Sequence, residues 1–174
     1  MLGPTPNRVL LIEDDKSLCG TLEQWVWRIW PGVIIRPALS LVQALTIAEQ
    51  FHPQMVLADL NLPDSPDPTS TVLALTGAIP SQIPIVIISG YVSTVDRLTY
   101  LAMGCDAVLA KDLESGFFAT LCATLASSWA RTRGRLVRHP TQAEAIIASM
   151  NADRIWPKST LLPIETPLGP LPTR

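Results

Sequence analysis

The sequence predicts an α/β fold: a five-stranded parallel sheet, doubly wound, with helices on both faces. Three observations predict it. Short apolar runs of strand type alternate five times with helix-type patterns, as in parallel sheets with right-handed crossovers. The runs are apolar nearly throughout, as strands buried on both faces are. The connections between runs and helices are short.

The first run is Arg8-Val9-Leu10-Leu11-Ile12, closed by Glu13-Asp14-Asp15. A helix is predicted from about Lys16 to Trp30, because Leu18, Leu22, Trp25, Val26 and Ile29 share one face. Pro31-Gly32 stops it, and Val33-Ile34-Ile35 reads as the second strand. Ser40 with Gln43 makes a capping-box pattern that opens a helix through about Phe51. The third strand starts at Met55 and ends in Asp59, between Pro53 and Pro63. Asp67-Pro68 reads as an N-cap with Pro in the first helical position, and that helix should reach about Thr76. Ile85-Val86-Ile87-Ile88 is the fourth strand and leads into Ser89-Gly90. A helix from about Thr94 to Met103 ends at Gly104, a suitable C-terminal cap. Ala107-Val108-Leu109-Ala110 is the fifth strand and ends in Lys111; Asp112 can cap a last helix through about Trp129.

With 48% hydrophobic residues and a mean hydropathy of +0.29, the 174-residue chain has ample material for a core. No apolar run reaches the roughly 18 residues a membrane helix needs. The start, Met1 to Arg8, has no apolar stretch behind a basic end, so no signal peptide is expected. Cys19, Cys105 and Cys122 fit no zinc or redox spacing and read as reduced core thiols of a cytoplasmic protein. Charge is uneven: residues 1–126 carry 6 Lys+Arg against 12 Asp+Glu, and residues 127–174 carry 7 against 3. The expected organisation is therefore an acidic domain over 1–126 and a basic extension over 127–174.

Strands one, three, four and five end in Glu13-Asp14, Asp59, Ser89 and Lys111. A parallel sheet places such ends along one edge, where ligands of open α/β sheets bind. Two or three carboxylates there invite a hard divalent cation such as Mg²⁺. The lysine offers a compact positive charge for an anion. The serine hydroxyl can donate to a phosphoryl oxygen. Asp59 can serve as a nucleophile, since aspartates form aspartyl phosphates.

These residues carry a resemblance. The chain resembles a response-regulator receiver domain of two-component signalling over about residues 7–126. The matching motifs are Val9-Leu10-Leu11-Ile12-Glu13-Asp14-Asp15, Asp59-Leu60-Asn61-Leu62-Pro63, Ile87-Ile88-Ser89-Gly90 and Gly104-Cys105-Asp106-Ala107-Val108-Leu109-Ala110-Lys111. Their intervals also fit: 45 residues from Asp14 to Asp59, 30 to Ser89 and 22 more to Lys111. The resemblance implies the flavodoxin-like strand order 2-1-3-4-5. It implies Asp59 as phosphoacceptor, with Asp14 binding Mg²⁺ directly and Glu13 acting nearby, through water. Asn61 would give its backbone carbonyl to the metal, Lys111 would pair with the phosphoryl group and Ser89 would hydrogen-bond it. Asp15 is expected to be a solvated or helix-start acid. The implied partner is a histidine kinase or histidine phosphotransfer protein. Enzyme activity beyond self-phosphorylation and autodephosphorylation is not implied.

Two positions depart from the family's usual pattern. Val108 stands three before Lys111, where an aromatic switch residue is usual. Asp112 follows Lys111 where many members have proline. The degenerate alternative is a receiver fold that binds proteins without being phosphorylated. An unrelated flavodoxin-like cofactor binder would need a Gly-rich phosphate loop after the first strand, and that turn is Glu13-Asp14-Asp15.

The extension resembles no known effector. Arg131, Arg133, Arg135 and Arg138 form a basic run that reads as a solvated helix end. No helix-turn-helix pair follows and no aromatics interleave, so DNA binding is not expected. Thr141 with Glu144 predicts a short helix to about Met150. Pro157, Pro163, Pro167, Pro170 and Pro172 predict an extended or disordered tail. Trp27 falls opposite the apolar stripe of the first helix, with Trp30 to one side. That patch is expected to be covered, by a partner protein, by a second subunit in a homodimer, or by the extension through Trp129, Ile146, Ile147 and Trp156.

Overall fold

The structure is a computed structural model of the chain, and it describes residues 5–111 and 116–137. The elements in order are β1 (Arg8–Ile12), α1 (Lys16–Ile29), β2 (Ile34–Ala38), α2 (Leu41–Phe51), β3 (Met55–Ala58), α3 (Pro68–Ala78), β4 (Ile85–Ser89), α4 (Thr94–Ala102), β5 (Ala107–Ala110) and α5 (Phe117–Val137). All five strands are parallel, in the order β2-β1-β3-β4-β5. The fold class is the one the sequence predicts, and the strand order is the one the family resemblance implies.

Alternate residues of each strand point to opposite faces, and this divides the core in two. Leu10, Ile12, Val56, Ala58, Ile85, Ile87 and Val108 pack beneath α2, α3 and α4. Val9, Leu11, Met55, Leu57, Val86, Ile88 and Leu109 pack beneath α1 and α5. Both faces are covered, so β3 and β4 are buried throughout and apolar except for Ser89 at the end of β4. Burial pushes the Cys19 thiol up to about 11 and the Cys105 thiol up to about 12. Neither is a reactive thiolate at neutral pH.

Element boundaries differ from the sequence reading in three places. β2 begins at Ile34 and continues through Arg36-Pro37 to Ala38. The proline is tolerated because β2 is an edge strand. α5 runs on to Val137, so the charge step at Ser127 falls inside a helix. Trp30 is not part of the α1 helix: it is the C-cap, with φ −130° and ψ 85°, and is only 6% exposed. The helical wheel therefore does not apply to it, and the expected Trp27–Trp30 surface patch is corrected to Trp27 alone. Trp27 is 59% exposed beside Val33 and Ile35. Trp129 packs against the α1–α5 half of the core. Asp112, the Thr141 helix, Ile146, Ile147, Trp156 and the proline-rich tail lie outside the described residues.

Two predicted caps are present, and a third, at Ser93, that the sequence reading did not single out. The Ser40 side chain accepts from Gln43 N–H, Asp67 accepts from Ser70 N–H with Pro68 next to it, and Ser93 forms a full capping box with Asp96. Gly104 follows α4 with φ +110°, a conformation that a side chain would strain. Among the described residues, no helix is long and apolar enough to cross a membrane.

Candidate functional site

The carboxyl edge of the sheet is continued by backbone hydrogen bonds beyond the strands themselves. Glu13 N–H donates to Ala38 O (2.9 Å), Asp59 N–H to Ile12 O (2.8 Å) and Lys111 N–H to Ser89 O (2.6 Å). The residues just past β1, β3 and β5 are thus held in register, and Ser89 ends β4 between the last two. Sequence distances of up to 98 positions close into one site.

Its centre is Lys111. The ammonium Nζ donates to Asp59 Oδ2 at 2.7 Å and stands 2.8 Å from Glu13 Oε2. Both carboxylates are deep: Glu13 is 1% and Asp59 5% exposed. The other Asp59 oxygen, Oδ1, accepts from Leu60 N–H (2.6 Å) and Asn61 N–H (3.3 Å). A buried charge needs such compensation. Burial pushes the Glu13 carboxyl above its ordinary 4.5, and Lys111 only partly offsets this. Burial also works against the Lys111 ammonium, and is the largest single influence on it. Asp59 and Glu13 together outweigh it, so the lysine pKa lies above 10.5.

Asp14 is exposed, at the rim. Carboxylate oxygens of Glu13, Asp14 and Asp59 lie within 4.8 Å of one another. Three hard oxygen donors at that spacing suit Mg²⁺. Glu13 Oε2 supports the fit further: it is buried and, apart from its ion pair with Lys111, has no hydrogen-bond partner among the described residues. The Asp15 carboxylate is outside this group, although its backbone N–H donates to Glu13 Oε1 (3.3 Å). The Asp15 side chain caps α1, accepting from Ser17 N–H (2.8 Å) and Leu18 N–H (3.1 Å). Asn61 is exposed on the loop after β3. Ser89 is buried at 2% exposure. The residues singled out from sequence thus share one edge, with Asp15 assigned to the helix.

Sequence reasoning missed three residues around this edge. Thr71, fully buried on α3, donates from Oγ1 to Leu60 O (3.0 Å). Asp64 accepts from the first two N–H groups of α2, Leu41 to Oδ1 and Val42 to Oδ2, each at 2.8 Å. Arg97 Nη1 donates to Val108 O. Each partner is 11 or more positions away, and no local pattern announces it.

Comparison with known proteins agrees with this geometry. The family model for the response regulator receiver domain matches residues 9–121. The transcriptional regulatory protein PrrA of Mycobacterium tuberculosis is 32% identical over 109 residues, and that of Mycobacterium leprae 31%. The alignment covers 63% of this chain and 45% of each relative, so the chain matches less than half the length of those proteins. In fold, the chain is similar to a response regulator receiver domain protein from Methanospirillum hungatei, with a TM-score of 0.63 and 19% identity over 75% of this chain and 99% of that one. It is also similar to the receiver domain of a Francisella response regulator, with a TM-score of 0.61 and 22% identity over 74% of this chain and 99% of that one.

Proposed function

This chain belongs to the response regulator receiver domain family of two-component signalling, and from that premise we propose that it accepts a phosphoryl group on Asp59 from a histidine kinase or a histidine phosphotransfer protein. The observation that carries the reading is Lys111 Nζ, set between Asp59 Oδ2 and Glu13 Oε2 at 2.7 and 2.8 Å. It pairs with a buried carboxylate and fixes its position, as a nucleophile requires.

In the transfer, an Asp59 carboxylate oxygen attacks phosphorus. The bond from phosphorus to the donor histidine nitrogen breaks, and its electron pair leaves with the imidazole. The product is an acyl phosphate. Lys111 turns from Asp59 Oδ2 to a phosphoryl oxygen, and the Ser89 hydroxyl donates to another. Glu13, Asp14 and Asp59 would hold Mg²⁺, with the Asn61 backbone carbonyl as a further oxygen. Bound there, the ion offsets charge on the transferring group. The chain acts as a phosphoacceptor and not as an enzyme on other substrates.

Output is proposed to run through protein contacts. Tyr91, Val95, Leu98 and Leu101 are large apolar side chains exposed on α4 and the loop before it. Exposed apolar side chains at helical spacing, as Val95, Leu98 and Leu101 are, fit a protein partner. The mycobacterial relatives are named transcriptional regulatory proteins, but the alignment covers 45% of their length, and DNA contact is not part of this proposal. Val108 favours a second reading, a receiver fold used as a binding module without phosphorylation.

The experiment is incubation with Mg²⁺ and acetyl phosphate, followed by intact mass. One phosphoryl group should be gained and should vanish in Asp59→Asn and with a chelator. Labelling that persists in Asp59→Asn overturns the assignment; no labelling of the native chain leaves the binding-module reading.

A further inference from the structure

The loop from Leu60 to Asp67 carries Asn61, whose backbone is expected at the metal, and it must be held in place by something other than regular structure. Thr71 Oγ1 fixes Leu60 O at 3.0 Å. Ser65 N–H donates to Leu62 O (3.1 Å), a turn internal to the loop. Asp67 caps α3, the next element. None of these relates the loop to the strand edge that carries Glu13. Among the described hydrogen bonds of the loop, those of Asp64 alone reach beyond β3 and α3.

The Asp64 carboxylate forks onto Leu41 N–H and Val42 N–H, each at 2.8 Å. An ionised fork on the positive end of a helix gives short, charge-assisted bonds of defined direction. The start of α2 is itself anchored to the site. Ala38, just before the α2 cap Ser40, accepts from Glu13 N–H at 2.9 Å. Asn61 N–H in turn donates to Asp59 Oδ1. A closed path therefore runs from Glu13 to Ala38, through Ser40 and Leu41 to Asp64, and along three residues to Asn61 and Asp59. Asp64 is the link that closes it.

We propose that Asp64 is a positioning residue for the Mg²⁺ site: by clamping the loop to the N-terminus of α2, it sets the Asn61 backbone relative to Glu13 and Asp59. The inference rests on the phosphoacceptor reading above and deepens it. The competing account is that Asp64 merely caps α2. Gln43 provides the control, because its side chain accepts from Leu39 N–H (2.7 Å) at the same helix end and has no described hydrogen bond to the loop, whereas the Ser40 hydroxyl itself bonds Asp64.

The test uses the full chain and the variants Asp64→Ala, Asp64→Asn and Gln43→Ala. Calorimetry measures Mg²⁺ binding, and amide exchange of residues 60–66 is followed without metal. Asp64→Ala should raise the Mg²⁺ Kd about tenfold, the scale seen when a group that orients a metal ligand is removed. It should also speed exchange in the loop. Asp64→Asn keeps one acceptor oxygen and should fall between; it also serves if Asp64→Ala does not fold. Gln43→Ala should lower Tm and leave both Kd and loop exchange unchanged. Equal weakening of Mg²⁺ binding by Asp64→Ala and Gln43→Ala, or none by either, reduces Asp64 to a helix cap and overturns the proposal. A native chain that binds no Mg²⁺ overturns the metal reading and this inference with it, and the two failures are told apart by that single titration.

Discussion

Arg97 of α4 donates from Nη1 to the backbone carbonyl of Val108 on β5, 2.5 Å away. Val108 occupies the position three before Lys111, and its side chain is 3% exposed, packed in the same cluster as Tyr100 of α4. β5 is an edge strand, so this carbonyl would otherwise face solvent or a groove. The link between α4 and β5 thus combines a charged tether on the backbone with aliphatic and aromatic packing beneath it.

Arg97→Ala should therefore cost about 1.5 kcal/mol, the low end for a hydrogen bond from a charged donor, because Arg97 is half-buried. Thermal unfolding measures it. Arg97 makes no described contact with Asp59, Glu13 or Lys111, so phosphoryl labelling by acetyl phosphate should continue. A variant as stable as the native chain would show the tether to be unimportant.

The acids after β1 should separate by role. Asp15→Ala removes the α1 cap and should lower stability by about 1 kcal/mol with Mg²⁺ binding intact. Asp14→Ala removes an exposed carboxylate from the Glu13–Asp59 group. It should weaken Mg²⁺ binding on the order of tenfold or more and leave metal-free stability equal or higher, since like charges are relieved. Titration and thermal unfolding of both variants check this. Equal losses of Mg²⁺ affinity would mean that the cap and ligand roles are wrongly divided.

Much of this site is legible in the sequence because each member ends an apolar strand. A parallel sheet aligns those ends whatever lies between them, so Glu13, Asp59, Ser89 and Lys111 could be brought together from spacing and pattern. Asp64, Thr71 and Arg97 could not. Their bonds go to backbone groups of distant elements, and any hydroxyl, carboxylate or guanidinium at the right place would serve. Trp30 was misplaced because a helical wheel assumes the helix continues, and here it ends one residue earlier. The second strand was read too short because Arg36-Pro37 looks like a break. Whether proline is tolerated depends on the strand being at an edge, which strand order decides. The apolar stripe of α5 fades near Trp129, but the arginine run after it, which reads as a helix end, does continue the helix to Val137.

Lys111→Met gives the test with the clearest pH dependence. The substitution removes the cation from two carboxylates that are 1% and 5% exposed and leaves them facing each other. Breaking one side of a buried ion pair costs about 3–5 kcal/mol, so the variant should be strongly destabilised at pH 7. The sign of its pH response follows from Glu13. Burial already raises that carboxyl above 4.5 in the folded native chain, and loss of Lys111 removes the main influence pulling it back. A folded-state pKa above the unfolded one means that the folded chain binds the extra proton first. The destabilisation should thus be greatest above the folded pKa and shrink as pH falls from there toward 4.5. In the native chain Lys111 has the opposite position. Its raised pKa gives stability that is complete below 10.5 and is lost as pH rises through the folded value. Denaturant unfolding of both proteins from pH 5 to pH 8 measures the gap between them. A gap that narrows toward pH 5, and narrows at pH 7 when Mg²⁺ is added to replace the missing charge, is the expected result. A constant gap would mean that Lys111 stabilises by packing and not by charge.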